Sequence, residues 1–167
     1  MQPGEIQYVT GSEEMLDEIE ELWLELNRYH SSVSTHFSRR FKNFSFQRRK
    51  EVLLEKAHGE AIRVDLAIDK TTDETIGYCL STIVERNVEK TGEVESLYVK
   101  SEYRNRNIGM ELMKRALAWL DSNIVHVKKL VVAVGNDKVY NFYERLGFYP
   151  KTIQFEQIPE LKSEGEE

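Results

Sequence analysis

Two consecutive runs of alternating apolar and polar residues constrain the fold of this 167-residue chain more than any other feature. Apolar residues occupy every second position from Ile62 to Ile68, and the same period of two recurs from Ile76 to Val84. This alternation is typical of half-buried strands, because successive side chains of a strand point to opposite faces. Since only a short polar turn separates the two runs, they predict an antiparallel hairpin.

Helical patterns and further strands surround this hairpin. A first helix is expected to begin after the turn at Gly11–Ser12 and to run to about Tyr29, followed by a loop over residues 31–38. Further helices are predicted over residues 46–57, from Ile108 onwards, and between Val139 and Gly147. Additional strands are predicted over residues 6–10, 93–99 and 148–157, and the continuous apolar run 130–134 is interpreted as a central strand buried on both faces.

The order of these elements indicates an α+β fold. With 40% apolar residues, the chain can form one sizeable core. Residues 1–160 are therefore expected to form a single domain, followed by an acidic tail over residues 161–167. Cys79 is the only cysteine and the four histidines lack ligand spacing, so neither a disulfide nor a metal site is expected. Without a signal-peptide pattern or a long apolar run, a cytoplasmic location with no membrane contact is expected.

A cluster of basic residues lies in the otherwise acidic first part of the chain. The net charge of -6 argues against a nucleic-acid partner. The cluster is interpreted as a solvated face attracted to the acidic first helix, or as a lip that selects a substrate. A third interpretation, binding of nucleic acid, predicts affinity that falls steeply with salt. The cluster comprises Arg39, Arg40, Lys42, Arg48, Arg49 and Lys50.

The residues with the clearest chemical potential lie between Leu97 and Met110, where a strand leads through a basic loop into a helix. Backbone N–H groups at a helix start, together with the helix dipole, favour a pyrophosphate. Gly109 permits close approach of a ligand to the backbone, while Arg104 and Arg106 can pair with phosphate oxygens. Taken alone, the same pattern also describes an ordinary solvated helix N-terminus.

A second segment follows the apolar run and contains Asn136, Tyr143 and the pair Gly147–Phe148. Together the two stretches resemble the GNAT (GCN5-related N-acetyltransferase) superfamily. Its coenzyme loop reads Arg/Gln-x-x-Gly-x-Gly/Ala, and its later segment reads Asn-x-x-Ala-x-x-x-Tyr-x-x-x-Gly-Phe. The loop here reads Arg104-Asn105-Arg106-Asn107-Ile108-Gly109, and the resemblance is most specific from Glu93 to Phe148.

Two residues depart from the family pattern. Asn107 stands where the family usually has glycine, and Val139 replaces an alanine. Asparagine is among the non-glycine residues that best tolerate a positive φ, so the loop is expected to keep its shape. The added side chain of Asn107 could crowd the pyrophosphate or form a hydrogen bond with it.

The resemblance implies a mixed, mostly antiparallel sheet flanked by helices, with a splayed strand pair that forms an acyl-CoA cleft. It also implies acetyl-CoA as the acetyl donor and a primary amine, on a small molecule or a peptide, as the acceptor. Family members often dimerise, so a homodimer is a further expectation. The residues that it places at the coenzyme are Leu97, Tyr98, Val99, Arg104, Asn105, Arg106, Asn107, Ile108, Gly109, Met110 and Asn136.

Catalysis is expected to proceed by direct attack of the amine on the thioester. Because a primary alkylamine has a pKa of about 10.4, it must lose a proton first. Glu95 is the candidate base, acting through water, since the period of two puts it on the same face as Leu97 and Val99. Glu93 is the reserve candidate. The alternative for Glu95 is an exposed strand carboxylate.

The resemblance implies that Tyr143 is the acid that protonates the leaving thiolate, the alternative being core packing. It likewise assigns Asn136 to the pantetheine amides, the alternative being a helix cap. His30 and His36 are expected near the acceptor entrance, within the family's variable acceptor-side region, here residues 29–50. The competing function is a non-catalytic CoA-binding or regulatory module, which the departure at Asn107 keeps open.

Overall fold

Five strands form one sheet in the order β1-β2-β3-β4-β5 in the computed structural model, which describes residues 4–158. Strands β1 to β4 pair with one another in antiparallel fashion, and β5 is parallel to β4. This arrangement confirms the predicted α+β class and the mostly antiparallel sheet. The strands are β1 (Ile6–Gly11), β2 (Ile62–Asp69), β3 (Glu74–Arg86), β4 (Glu89–Val99) and β5 (Val127–Leu130).

The helices cover both faces of the sheet, and the first of them differs from its prediction. Residues 13–19 form a 3₁₀ helix, and the α-helix that follows extends four residues beyond Tyr29 into the predicted loop. The short cationic helix α2 was missed, because it has no buried residue and hence no apolar period. The α-helices are α1 (Glu20–Val33), α2 (Ser38–Asn43), α3 (Phe46–Lys56), α4 (Ile108–Ser122) and α5 (Tyr140–Glu144).

Two apolar clusters lie on opposite faces of the sheet. The first packs α1 and α3 against side chains such as Tyr78 and Leu80 of β3. The second packs α4 against the other face, where Cys79 of the same strand is fully buried. The alternation of β3 thus divides its side chains between the two clusters, as the period of two predicts.

The last two strands of the sheet diverge. β5 pairs with β4 only from Thr91 to Val94, whereas β4 continues to Val99. The prediction of a strand buried on both faces over residues 130–134 is wrong, because Val131 and Val134 are 81% and 76% exposed. Within residues 4–158 no strand lies beyond β5, and an apolar run alone cannot distinguish a central strand from the side of a groove.

Residues 148–157 form no strand, which corrects a further prediction, and Ile153 and Phe155 are exposed there. The predicted acidic tail lies outside the described residues. Among residues 4–158, no helix has both the length and the apolar character that crossing a bilayer requires.

A β-bulge in β4 determines the direction of Glu95. Leu80 pairs with Ser96 and Ser81 pairs with Val94, so Glu95 is the extra residue of the bulge. Val94 and Leu97 consequently contact the same α4-side cluster although they are three positions apart. The prediction that Glu95 shares a face with Leu97 and Val99 is wrong, since the bulge interrupts the period of two.

Candidate functional site

A groove of about 760 Å³ opens where β4 and β5 diverge. It is lined by β4 from Val94 onwards, by the loop and first turn of α4, by residues 130–145 in part, and by the C-terminal half of α1. The structure brings together nearly all of the predicted site residues there. Those that line the groove are Glu95, Leu97, Tyr98, Val99, Arg104, Asn105, Asn107, Ile108, Gly109, Met110, Asn136 and Tyr143.

The loop that precedes α4 has an unusual backbone conformation. Asn105 and Asn107 both have a φ of 60°, in the left-handed region that favours glycine. The carbonyl of Asn107 accepts the first bond of α4, from the amide of Glu111 at 3.0 Å, while its side chain makes no capping bond. The N–H groups of the first helical turn therefore remain available to a ligand. Asn107 adopts the conformation that the family's glycine would supply.

The two arginines of the loop have different surroundings. Arg104 lines the groove, donates from Nε to the Val99 carbonyl at 3.0 Å, and lies 5.5 Å from the ring centre of Tyr98. Arg106 lies outside the groove, over the ring of Tyr103 at 5.2 Å. Arg106 was predicted to contact the coenzyme, but in the structure its guanidinium donates to the Gly4 carbonyl at 3.4 Å, just before β1.

A glycine turn places Tyr143 in the groove. Gly147 has a φ of 84°, and its amide donates to the Glu144 carbonyl at 2.9 Å. The Phe148 amide donates to the Tyr143 carbonyl at 3.0 Å, which completes a Schellman turn at the end of α5. Phe148 thereby folds back onto the same apolar cluster as Tyr143. The spacing of Tyr, Gly and Phe in the motif is explained by this turn.

The hydroxyl of Tyr143 is free to act on a ligand. Burial raises the pKa of Tyr143 well above its usual value, with a smaller contribution from the neighbouring thiol of Cys79. The phenol is therefore protonated at neutral pH. Among residues 4–158 its hydroxyl has no hydrogen-bond partner, although the ring packs against Phe142 and Phe148.

The segment after β5 is attached to the end of α1. The Tyr29 hydroxyl donates to Oδ1 of Asn136 at 3.2 Å. Gly135 has a φ of 98°, and a side chain there would lie 2.3 Å from the Val33 carbonyl oxygen. These contacts place α1 and the Asn136 segment on facing sides of the groove. Asn136 forms no side-chain cap, so the alternative role as a helix cap is not observed.

Glu95 lies among cations on the α3 side of the bulge. Its side chain is only 5% exposed, and it accepts hydrogen bonds from Thr82 at 2.6 Å, from Arg49 at 2.9 Å and from Lys56. Burial raises its pKa, but the bonds from Lys56 and Thr82 and the charges of Lys56 and Arg49 outweigh burial and lower it overall. The carboxylate is therefore ionised at neutral pH.

Glu93, the reserve candidate, lies away from the groove. It pairs with Lys56 at 2.6 Å and with Lys129 at 3.5 Å, and it lines a separate cleft of about 290 Å³ near the far ends of β3 and β4.

His30 also lines the groove, on the α1 side. Its imidazole lies 5.3 Å from the ring centre of Phe41 and 6.2 Å from that of Tyr29. Burial lowers the pKa of His30, so the ring is neutral at physiological pH. His36, in contrast, is exposed.

The basic cluster is largely paired at the surface. Arg40 contacts Glu156 through both guanidinium nitrogens, Arg48 contacts Glu51 at 3.1 Å, and Lys50 contacts Asp17 at 2.7 Å. Arg49 is the member of the cluster that reaches the side of the groove, through Glu95. Of these ion pairs, the one between Lys50 and Asp17 joins the cluster to the first helical segment, as the solvated-face interpretation expects, whereas Arg40 and Arg48 pair elsewhere.

Some groove residues were missed as site residues. Tyr29 could have been found, because it follows Trp23 and Leu26 at helical spacing. Phe142 lies in the helix predicted between Val139 and Gly147 and has the pattern of a core residue, and the cations Lys138 and Arg145 have no distinguishing pattern. Their positions depend on the divergence of two strands, which no local pattern encodes.

Comparisons with known proteins agree with the fold described above. The sequence profile described as "Acetyltransferase (GNAT) family" matches residues 16–148. An uncharacterized N-acetyltransferase of Methanocaldococcus jannaschii is 32% identical over 69 residues, which are 40% of this chain and 30% of that protein. The matched region thus spans less than a third of that relative.

Solved structures show the same fold at low sequence identity. A putative acetyl transferase from Pyrococcus furiosus has a TM-score of 0.70 and 19% sequence identity, and the match covers 92% of this chain and 99% of that protein's chain. An aminoglycoside acetyltransferase from an uncultured soil metagenomic sample, in complex with sisomicin, has a TM-score of 0.65 and 15% identity, with coverages of 92% and 95%. Because the family profile matches most of the chain, this protein belongs to the acetyltransferase (GNAT) family.

Proposed function

We propose that this protein is an N-acetyltransferase that transfers the acetyl group of acetyl-CoA to a primary amine. The observation that carries the proposal is the free, protonated hydroxyl of Tyr143 in the groove that begins at the N-terminus of α4. An acid at one end and an anion site at the other match a thioester with a pyrophosphate tail.

The residues of the groove fit the donor. Among residues 4–158, no strand pairs with β4 beyond Val94 on its β5 side, so the amide and carbonyl groups there can pair with a pantetheine arm as an added strand would. The open N–H groups of the first turn of α4 can donate hydrogen bonds to the pyrophosphate oxygens, and Arg104 can add charge-assisted bonds. Leu97, Tyr98 and Val99 are the proposed neighbours of the arm, and Asn136 its proposed amide partner.

Acetyl transfer requires stabilisation of the thioester oxygen and protonation of the sulfur. A backbone N–H of β4 can donate to the oxygen as negative charge develops there. The neutral amine nitrogen attacks the carbonyl carbon, and as the carbon–sulfur bond breaks the Tyr143 hydroxyl donates its proton to the sulfur. The proton that the nitrogen loses on becoming an amide returns to Tyr143 through solvent. No covalent acyl-enzyme is needed, because a bound amine can attack directly.

The acceptor is proposed to enter from the α1 side of the groove. The sisomicin complex of the aminoglycoside acetyltransferase supports an amine on a small molecule, and a peptide amine stays a second possibility. The basic residues Arg40, Arg48 and Lys50 are already paired with carboxylates, so they create no demand for an anionic acceptor. We place the reaction in the cytoplasm, which a free thiol at Cys79 fits.

The proposal is tested with acetyl-CoA and a panel of amines. We expect acetyl-CoA to raise the melting temperature, and at least one amine to release thiol from it. Tyr143→Phe should lower kcat by roughly 100-fold, as expected for loss of a general acid, with little change in the KM for acetyl-CoA. Tyr140→Phe, on the same helix but outside the groove, is the matched control and should retain full activity.

The competing function, a non-catalytic CoA-binding module, predicts a different outcome of the same experiment. Stabilisation by acetyl-CoA without turnover of any amine would favour it. The positive φ of Asn107 supports the catalytic function over this one, because the backbone there has a conformation that glycine adopts readily.

A further inference from the structure

We propose that His30, rather than Glu95, removes the proton from the acceptor amine. The inference rests on the proposed acetyltransferase function and assigns the proton acceptor within the same groove. It follows from a contrast between the two candidates. Both line the groove, but Glu95 already accepts three hydrogen bonds, whereas the His30 ring has no hydrogen-bond partner among residues 4–158.

Glu95 is occupied by other partners. Each of its oxygens accepts at least one charge-assisted or short bond, from Arg49 at 2.9 Å on one oxygen and from Thr82 at 2.6 Å and Lys56 on the other. A carboxylate stabilised in this way holds a proton weakly, and efficient bases have a pKa near the working pH. Taking up a proton would also leave two cations with less compensation.

His30 has the opposite properties. Its ring lines the groove, and aromatic contacts with Tyr29 and Phe41 hold it. Among residues 4–158 neither ring nitrogen has a hydrogen-bond partner, so a neutral imidazole presents an acceptor nitrogen to the groove. Tyr29, the preceding residue, bonds to Asn136 on the facing side, so this turn of α1 lies against the segment proposed to hold the donor.

The charges around His30 allow the ring to cycle between its two forms. Helix α2 contacts it through the apolar Phe41, and the charged residues of α2 are the cations Arg39, Arg40 and Lys42. Within the described groove the remaining charged side chains are Glu95, Arg104, Lys138 and Arg145. None of them is hydrogen bonded to the imidazole, so the neutral form predominates at pH 7 while protonation remains reversible.

The proton transfers balance as follows. The ammonium group of the acceptor gives one proton to the imidazole, and the neutral amine attacks the thioester carbon. As the carbon–sulfur bond breaks, Tyr143 protonates the sulfur, and the second amine proton restores the tyrosine hydroxyl through solvent. The imidazolium then releases its proton to water, so the products are the amide, free CoA and one proton.

The test is the pH dependence of kcat/KM for an amine that the wild type acetylates. For the wild type we expect a rise with an apparent pKa below about 6.5, the ordinary histidine value, and a level region above pH 7. His30→Gln should lower kcat/KM roughly 100-fold at pH 7. The kcat/KM of this variant should keep rising through pH 9, where more of the amine is already neutral. Added imidazole should restore part of the activity of this variant.

His36→Gln is the matched control, because His36 is exposed and outside the groove, and it should keep the wild-type profile. The melting temperature of each variant, with and without acetyl-CoA, separates lost chemistry from lost folding. An unchanged pH profile in His30→Gln would overturn the inference and leave the acetyltransferase function intact. Absence of turnover by the wild type, with any amine, would instead contradict the proposed function itself.

Discussion

The two sides of β4 differ in how their chemistry is built. On the α4 side, the features that suit a donor are local: a left-handed residue, a helix start and a glycine turn, each within a few positions of the chain. On the α1 and α3 side, the ionised Glu95 and the neutral His30 are positioned by contacts with other helices, such as that of Arg49 with Glu95 and that of Phe41 with His30.

This difference shows which residue roles a short sequence motif can predict. A donor common to a family can be held by backbone geometry, which a short motif encodes. The acceptor side depends on side chains from several helices, and one bulge in β4 is enough to turn a predicted base towards α3.

The largest effect that probes this comparison is expected from Glu95→Gln. It removes a buried charge that compensates Arg49 and Lys56, so we expect the free energy of unfolding to fall by about 3 kcal/mol. Because the pKa of Glu95 is lowered in the folded state, its contribution is full above about pH 4.3 and is lost as the pH falls further.

Urea unfolding of wild type and variant between pH 3 and pH 7 measures this contribution. The stability difference should shrink towards pH 3. A carboxylate that acts as the catalytic base, and not as a structural partner, would show the reverse pattern: normal stability, with the rising limb of the pH–rate profile abolished. Glu51→Gln, which removes an exposed partner of Arg48, is the control and should change stability by less than about 0.5 kcal/mol.

A smaller effect is expected from Tyr29→Phe, which removes the one side-chain bond found between α1 and Asn136 in the described residues. Loss of a single neutral hydrogen bond is worth about 1 kcal/mol, so the KM for acetyl-CoA should rise roughly fivefold. Steady-state kinetics at saturating amine measure it. Tyr149→Phe, at a 72% exposed tyrosine, should leave the KM for acetyl-CoA unchanged. An equal rise of this KM in both variants would contradict a role for the hydrogen bond between Tyr29 and Asn136.

The smallest effect is expected from Asn107→Gly, which restores the residue that the family usually has. Since the loop already has a φ of 60°, the backbone gains little, and removal of the side chain should lower the KM for acetyl-CoA by roughly twofold. Asn87→Gly is the matched control, because Asn87 has a φ of 50° in a turn distant from the groove. A higher KM in Asn107→Gly would mean that the asparagine side chain binds the donor.

Much of the sheet was predictable, because alternation is a local property of a strand. The hairpin of β2 and β3 and the start of α4 at Ile108 agree with the sequence patterns. The run 130–134 and the segment 148–157 were not predictable in the same way, because apolar side chains there are exposed. A local apolar pattern does not tell whether a neighbouring strand is present to pair with the segment.

The candidate site divides along the same line. The sequence by itself determined the left-handed loop at Asn107, the helix start and the turn that returns Phe148 to Tyr143, because each depends on backbone conformations that a few residues encode. Only the tertiary structure decided that Glu95 is held by Arg49 and Lys56 while His30 faces the groove. Such electrostatic surroundings are sums over side chains distant in sequence, so they exist only once the chain has folded.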